Sequence, residues 1–497
     1  MSVQSLDDLA RAIDTASDAG DETSLCRLGD VCEDRLRTAE GLNRVRLLYY
    51  RSNTFSSIID IKRNDPEYIS GWYQPERIEN ILLLRRAIGE PGFADTDSII
   101  ARQVRTNLAI RLHEIGRPVA ANEERLKVLR YDPPFAKTLA GQAQAIAFYA
   151  TQIYDNGHIL LLLAAARSLY DEALDKTAFW ESGDRELIAP KLLEERNRIA
   201  DDLQRNCYDE SYDFDRWSLG DTEDERAYRR WCLRERLFLN PLNDAYTQSV
   251  AATDVLHLPS HSYRIDESPR FPTYFNLLKQ EYVSARYRLY RAIHEQASEF
   301  VMRDVLLLDS GEGQILGHYT EELRASFRST YAIFDKAGLF LNDYFGLGME
   351  PEKVTFRNVW FENPKRQKSE IRLKFKGCKN WPLRGLFFLS MDMFDREFEE
   401  VAEPDAAKLS QLRNRAEHRF LSFQSIVTGQ TTDTHQFISI DEFEGKALRL
   451  LKMARETLIY LSLAMHREEK LREQGISDKR TLGIPVVSRP IRSFDRG

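Results

Sequence analysis

Arg413, Asn414 and His418 are the residues of this chain whose types and spacing best suit chemistry. The stretch from Pro404 to Phe423 reads as a helix, because Leu409, Leu412, Ala416, Phe420 and Phe423 recur at steps of three and four. At about 100° per residue, Asn414 and His418 fall on the face opposite that apolar stripe and are neighbours there. Arg413 lies on the flank, with a side chain long enough to swing to the same patch. Such a helix offers a fixed cation, an amide and an imidazole where its own core does not need them. The imidazole changes charge near neutral pH and can accept or donate a proton. The forked guanidinium, permanently charged, suits phosphoryl oxygens. The amide can orient either group. The competing reading is a solvated face on which Arg413 pairs with Glu417 and His418 is simply exposed. Against it, Gln411, Asn414, His418 and Ser422 leave that face poor in the charges that usually cover a solvated helix.

Arg-Asn followed by three residues and a His resembles the signature of the HEPN superfamily, helical domains many of which are metal-independent endoribonucleases. Three other stretches, Arg236 to Asp244, Phe334 to Gly346 and Phe356 to Trp360, resemble a bacterial HEPN family with tetratricopeptide-like repeats in front. The resemblance covers about residues 225 to 470 and reaches the N-terminal part only loosely. It implies a motif helix packed against its two-fold mate, so that two motifs build one composite cleft. It also implies catalytic roles: His418 for proton transfer, Arg413 for the phosphoryl oxygens, and Asn414 to orient the imidazole or the phosphate. The ribose 2′-hydroxyl would attack in line, leaving a 2′,3′-cyclic phosphate and a 5′-hydroxyl, with no cofactor and no metal. The implied protein is a homodimeric endoribonuclease acting on RNA. Its helical repeats would meet a protein or phage-derived trigger, in a bacterial defence or toxin role. The alternative is a non-catalytic HEPN module for dimerisation, nucleotide binding or protein interaction.

The elements that must position the motif read as mainly α. Residues 1–205 form a tetratricopeptide-like helical repeat array. Its clearest unit carries Leu108, Ala109, Leu112, Gly116, Ala121, Val128 and Pro133 at the small, large and turn positions of such repeats. A second unit carries Tyr149, Ala150, Ile153, Gly157, Leu162, Ala166 and Leu169, and an ordinary helical bundle is the competing reading. Residues 206–270 read as an irregular connector, in which His257 and His261 have Pro259 between them and no acidic or thiol partner. They read as surface or packing histidines. Residues 271–475 form the HEPN helical bundle, with amphipathic helices from Tyr274, from Leu323 and from Phe443. Asp335 and Lys336 sit on the second of these, either facing the cleft, as the resemblance allows, or on a solvated face.

A β-hairpin insertion is expected at about residues 352–380, from Val354–Phe361 and Ile371–Lys376. In its second strand Arg372, Lys374 and Lys376 alternate with Ile371, Leu373 and Phe375, giving one basic face. That face suits a phosphate backbone, so these three are the candidate nucleic-acid-binding residues; a solvated edge strand is the alternative. Residues 476–497 read as an extended tail that can lie on a partner. A net charge of −8 over 497 residues confines any RNA contact to a local patch. The longest apolar run, Ile159 to Ala166, is too short to span a bilayer, and the N-terminus lacks the pattern of a signal peptide. Five scattered cysteines, none spaced Cys-x-x-Cys, fit reduced thiols and a cytoplasmic setting.

Overall fold

Cap residues and short apolar stripes break the first part of the chain into helices. The computed structural model describes residues 5–484, apart from 67, 69–70, 73, 97, 132, 182, 260, 264–269, 295–298, 309–310, 312, 363–369, 377, 395–419, 428–431, 433 and 476–481. The N-terminal helices are α1 (Leu6–Asp18), α2 (Glu22–Leu36), α3 (Gly41–Ile61), α4 (Pro75–Gly89), α5 (Ser98–Glu114), α6 (Pro118–Val128), α7 (Ala136–Ala150), α8 (Asn156–Leu174) and α9 (Asp184–Arg205). Ser5 opens α1 with a reciprocal capping box: its hydroxyl accepts from the Asp8 amide at 3.0 Å, and its own amide donates to the Asp8 carboxylate at 3.2 Å. Gly116, in the left-handed region at φ 92°, turns the chain between α5 and α6. These two helices pack as one hairpin, and α7 with α8 as the next. Leu108, Ala109, Leu112, Ala121 and Val128 of the first, and Tyr149, Ala150, Leu162 and Ala166 of the second, are buried.

The connector expected at 206–270 carries a helix, α10 (Glu223–Arg234), and then one of the best-buried stretches of the molecule. Leu237, Phe238, Leu239, Asn240, Leu242 and Asn243 are all enclosed. Asn243 satisfies this irregular backbone, accepting from the Phe238 amide at 3.1 Å and donating to the Leu233 carbonyl at 3.2 Å.

Four long helices follow: α11 (Arg270–His294), α12 (His318–Phe345), α13 (Trp381–Phe394) and α14 (Ile440–Gly475). Contacts fix their directions. Phe271 at the start of α11 meets Tyr344 at the end of α12, so that pair is antiparallel. Phe327 meets Phe443 and Tyr344 donates to Glu469, so α12 and α14 run parallel. Asn380, just before α13, donates to the Ala464 carbonyl at 2.9 Å, so α13 descends against α14. The buried stripe of α12 includes Leu323, Phe327, Tyr331, Phe334, Gly338, Leu341 and Phe345. Gly338 is required there, since a Cβ would lie 2.9 Å from the Phe356 amide nitrogen.

Two expectations from the sequence are corrected. Phe420 and Phe423 do not continue a helix: they belong to a strand, β3 (Phe420–Gln424). It pairs in parallel with β4 (His435–Ser439) and antiparallel with β2 (Gln314–Ile315). Three residues apart, the two rings take opposite faces of the strand, Phe420 being 73% exposed and Phe423 buried. Among the described residues the expected hairpin also shrinks to a single antiparallel bridge, Phe361 with Ile371. Residues 373–376 are a turn, closed by the Phe375 amide donating to the Arg372 carbonyl at 2.9 Å, so the alternation of faces fails. Leu373 is 80% exposed while Phe375 is fully buried. In the tail, β5 (Leu482–Ile484) pairs antiparallel with β1 (His261–Tyr263) of the same chain.

The N-terminal helices are built into the bundle. The Arg117 guanidinium, next to the Gly116 turn, makes paired bonds of 2.9 and 2.8 Å to Glu456 of α14 and also meets Asp392 of α13. Arg85 of α4 chelates the same Asp392 at 2.8 and 2.9 Å. Trp72 stacks on Phe375, with ring centroids 5.8 Å apart, and its indole donates to the Cys378 carbonyl at 2.8 Å. A Cβ on either Gly116 or Gly385 would collide with the backbone of the other.

Candidate functional site

Arg413, Asn414 and His418, with Leu409, Leu412 and Ala416 of the expected stripe, lie outside the described residues. The elements on either side of them are described. Helix α13 ends at Phe394 and is packed on its inner face by Leu386, Phe387 and Leu389. Strand β3 begins at Phe420, two residues beyond His418 in the sequence.

Strand β3 is held to the bundle by α12. Arg324 donates to the Leu421 carbonyl at 2.6 Å and lies over the Phe423 ring, 4.5 Å from its centroid. Phe423 in turn packs against Phe443 at 4.9 Å, so the sheet sits over the N-terminal end of α14. Beside it, parallel pairing brings Ser422 and His435 together, with Ser422 Oγ 2.7 Å from His435 Nε2. Both side chains are partly exposed. This end of the bundle therefore carries a hydroxyl and an imidazole in one small sheet, with the Arg324 guanidinium of α12 against it. Sequence reasoning placed Ser422 on a helix and did not single out His435. Alternation gave no signal there, since Phe437 and Ile438 are adjacent and both buried in β4.

Other candidates separate. Lys336 forms an exposed ion pair with Glu281 of α11. The Asp335 carboxylate accepts from the Phe356 amide at 3.4 Å, which helps dock the chain that crosses Gly338. His257 packs edge-on against Tyr154, at 4.5 Å between centroids, and its ring nitrogen lies 2.7 Å from the Leu258 carbonyl. His261 is in β1. His294 stacks on Tyr290 at 4.6 Å.

The basic residues lie at the opposite end of the bundle from the sheet. Arg372 is half-buried, donating to the Val359 carbonyl at 3.0 Å, with Glu362 3.4 Å away. Lys374 is exposed, and Lys376 is exposed beside Glu370 at 3.6 Å. Phe375 between them is anchored on Phe345, at the C-terminal end of α12, whereas the sheet is anchored on Arg324 near its start. At 1.5 Å per residue the two anchors are about 32 Å apart. The three cations thus form a distant surface, not a wall of the sheet.

The up-and-down helices α11 to α14 define a helical-bundle domain of the HEPN class. Residues 262–468 match the model of the LA2681-like HEPN family, and this C-terminal part of the chain is a HEPN domain. The match begins inside β1 and ends near the close of α14, so it takes in the sheet as well as the four helices. No curated protein and no solved structure matches the chain. No helix among the described residues is long and apolar enough to cross a membrane.

Proposed function

We propose that the chain is a metal-independent endoribonuclease of HEPN type. The observation that carries this reading is the Arg413-Asn414-x-x-x-His418 motif inside the segment that matches the HEPN family. His418 is the acid-base group, Arg413 holds the phosphoryl oxygens, and Asn414 orients one of them. RNA is cut by 2′-hydroxyl attack at a composite site built by a homodimer through the HEPN domain. Lys374 and Lys376, both exposed, hold the RNA backbone and act on affinity. The N-terminal helices, read as tetratricopeptide-like, receive a protein or phage-derived trigger in a cytoplasmic defence or toxin system.

Total RNA incubated with purified protein in EDTA, beside the His418→Ala and Arg413→Ala variants, tests the chemistry. Wild type should produce 2′,3′-cyclic phosphate ends, and each variant should abolish them with an unchanged melting temperature. Equal cleavage by His418→Ala, or its arrest by EDTA, would sink the mechanism.

A further inference from the structure

Buried arginines at the junction of the two halves are matched by carboxylates at one place and outnumber them at another. Arg117 meets both Glu456 and Asp392, Arg286 has Asp254 at 2.7 Å, and Arg455 has Asp244 at 2.7 Å. Arg77 of α4, Arg111 of α5 and Arg384 of α13 have a different environment. All three are more than nine-tenths buried. Among the described residues, Glu114 is the carboxylate paired with this group, 2.7 Å from Arg111 and 3.9 Å from Arg77. Arg63, at the exposed rim, reaches the same carboxylate at 3.5 Å. Arg384 has a neutral partner, the Gln74 amide oxygen at 2.9 Å, and feels the repulsion of Arg77. The Nε atoms of Arg77, Arg111 and Arg384 are buried without a hydrogen-bond partner, while the Tyr68 hydroxyl beside Arg77 interacts with Arg77 and Glu76. Unpaired donors and excess positive charge in one enclosed place are costly unless an anion supplies the acceptors. Burial and the neighbouring Arg77 lower the Arg384 guanidinium to about 9, in keeping with that cost.

We propose that Arg77, Arg111 and Arg384 form a seat for a phosphate dianion, either free or as the terminal group of a phosphomonoester, at the junction of α4, α5 and α13. Guanidiniums are the groups that bind phosphate oxygens in pairs. Glu114 is the internal competitor for the seat, and its side chain is partly exposed, so a ligand arriving past Arg63 displaces it. The seat joins two helices of the N-terminal half to one of the HEPN domain, so its occupation ties these halves together. It is independent of the motif at residues 413–418 and of any nuclease activity.

Isothermal titration of the full-length chain tests the seat, with sodium phosphate and adenosine monophosphate as separate titrants. Saturable binding of phosphate is expected below about 1 mM, a range set by a few charge-assisted bonds. Tighter binding of the monophosphate would identify a phosphomonoester as the ligand, and equal or weaker binding would identify the free anion. Arg384→Gln should weaken binding by about tenfold or more, and Glu114→Gln should strengthen it by a similar factor. Each is read beside its circular dichroism and melting curve. Absence of saturable binding in wild type overturns the proposal, as does a folded Arg384→Gln with wild-type affinity. If Arg384→Gln fails to fold, Glu114→Gln decides, and unchanged affinity in that variant also overturns it.

Discussion

At the scale of single residues, burial divides groups of the same chemistry. Arg117 is almost wholly enclosed, as are its partners Glu456 and Asp392. Truncating Arg117 leaves the Glu456 carboxylate buried without its cation, while Asp392 keeps Arg85. Arg117→Ala should therefore cost about 3–5 kcal/mol in denaturant unfolding. A loss below about 1 kcal/mol would mean that water replaces the guanidinium there. The thiols divide likewise. Cys26 and Cys207 are exposed, while Cys32 and Cys232 are buried. Burial pushes Cys32 up to about 12 and Cys232 up to about 11, so neither supplies thiolate at neutral pH. A disulfide reagent under native conditions should modify Cys26 and Cys207 rapidly. Cys32 and Cys232 should react only on unfolding.

At the scale of elements, the junction of α5 with α13 carries a pH response. His113 of α5 packs on Trp381 at the start of α13, with ring centroids 5.1 Å apart, and on Phe148 of α7 at 5.4 Å. Burial, and then the charge of Arg125, lower its imidazole from 6.5 to about 3. Between those values the unfolded chain binds a proton that the folded chain refuses. The stability contribution is intact above pH 6.5 and is lost as the pH falls toward 3, by at most about 1.4 kcal/mol per unit. Melting temperatures from pH 7 to pH 4 should fall less steeply for His113→Gln than for wild type. Parallel slopes would show that His113 reaches water.

At the scale of the whole molecule, the N-terminal helices and the bundle share one core and one set of counterions. Trp72 stacks among Phe375, Trp360 and Phe387, and Arg85 and Arg117 neutralise carboxylates of α13 and α14. A chain of residues 206–497 alone would expose those rings and leave Asp392 and Glu456 without their guanidiniums. Size-exclusion chromatography of that fragment should show aggregate, and a sharp, folded peak would show that the bundle is autonomous. A trigger bound to the N-terminal helices would act through these contacts, since they couple directly to the helices that flank the proposed motif.

The sequence by itself determined the mainly helical character, the stripes of α11, α12 and α14, and the HEPN resemblance. All of these rest on local periodicity or a short motif. The glycine at the α5–α6 turn was legible too, since Gly116 fell at a repeat's turn position. Tertiary structure decided the rest. A three-residue spacing of Phe420 and Phe423 fits a helix stripe, and pairing with β2 and β4 overrides it with a strand that puts the two rings on opposite faces. Alternating charges at 371–376 suggested a basic strand, yet the pull of Phe375 into the aromatic core made a turn. The ion pairs that fuse the two halves join Arg117 to Glu456 across 339 residues of chain. No local pattern encodes such a partner, because the free energy of a buried charge depends on what the whole fold brings beside it.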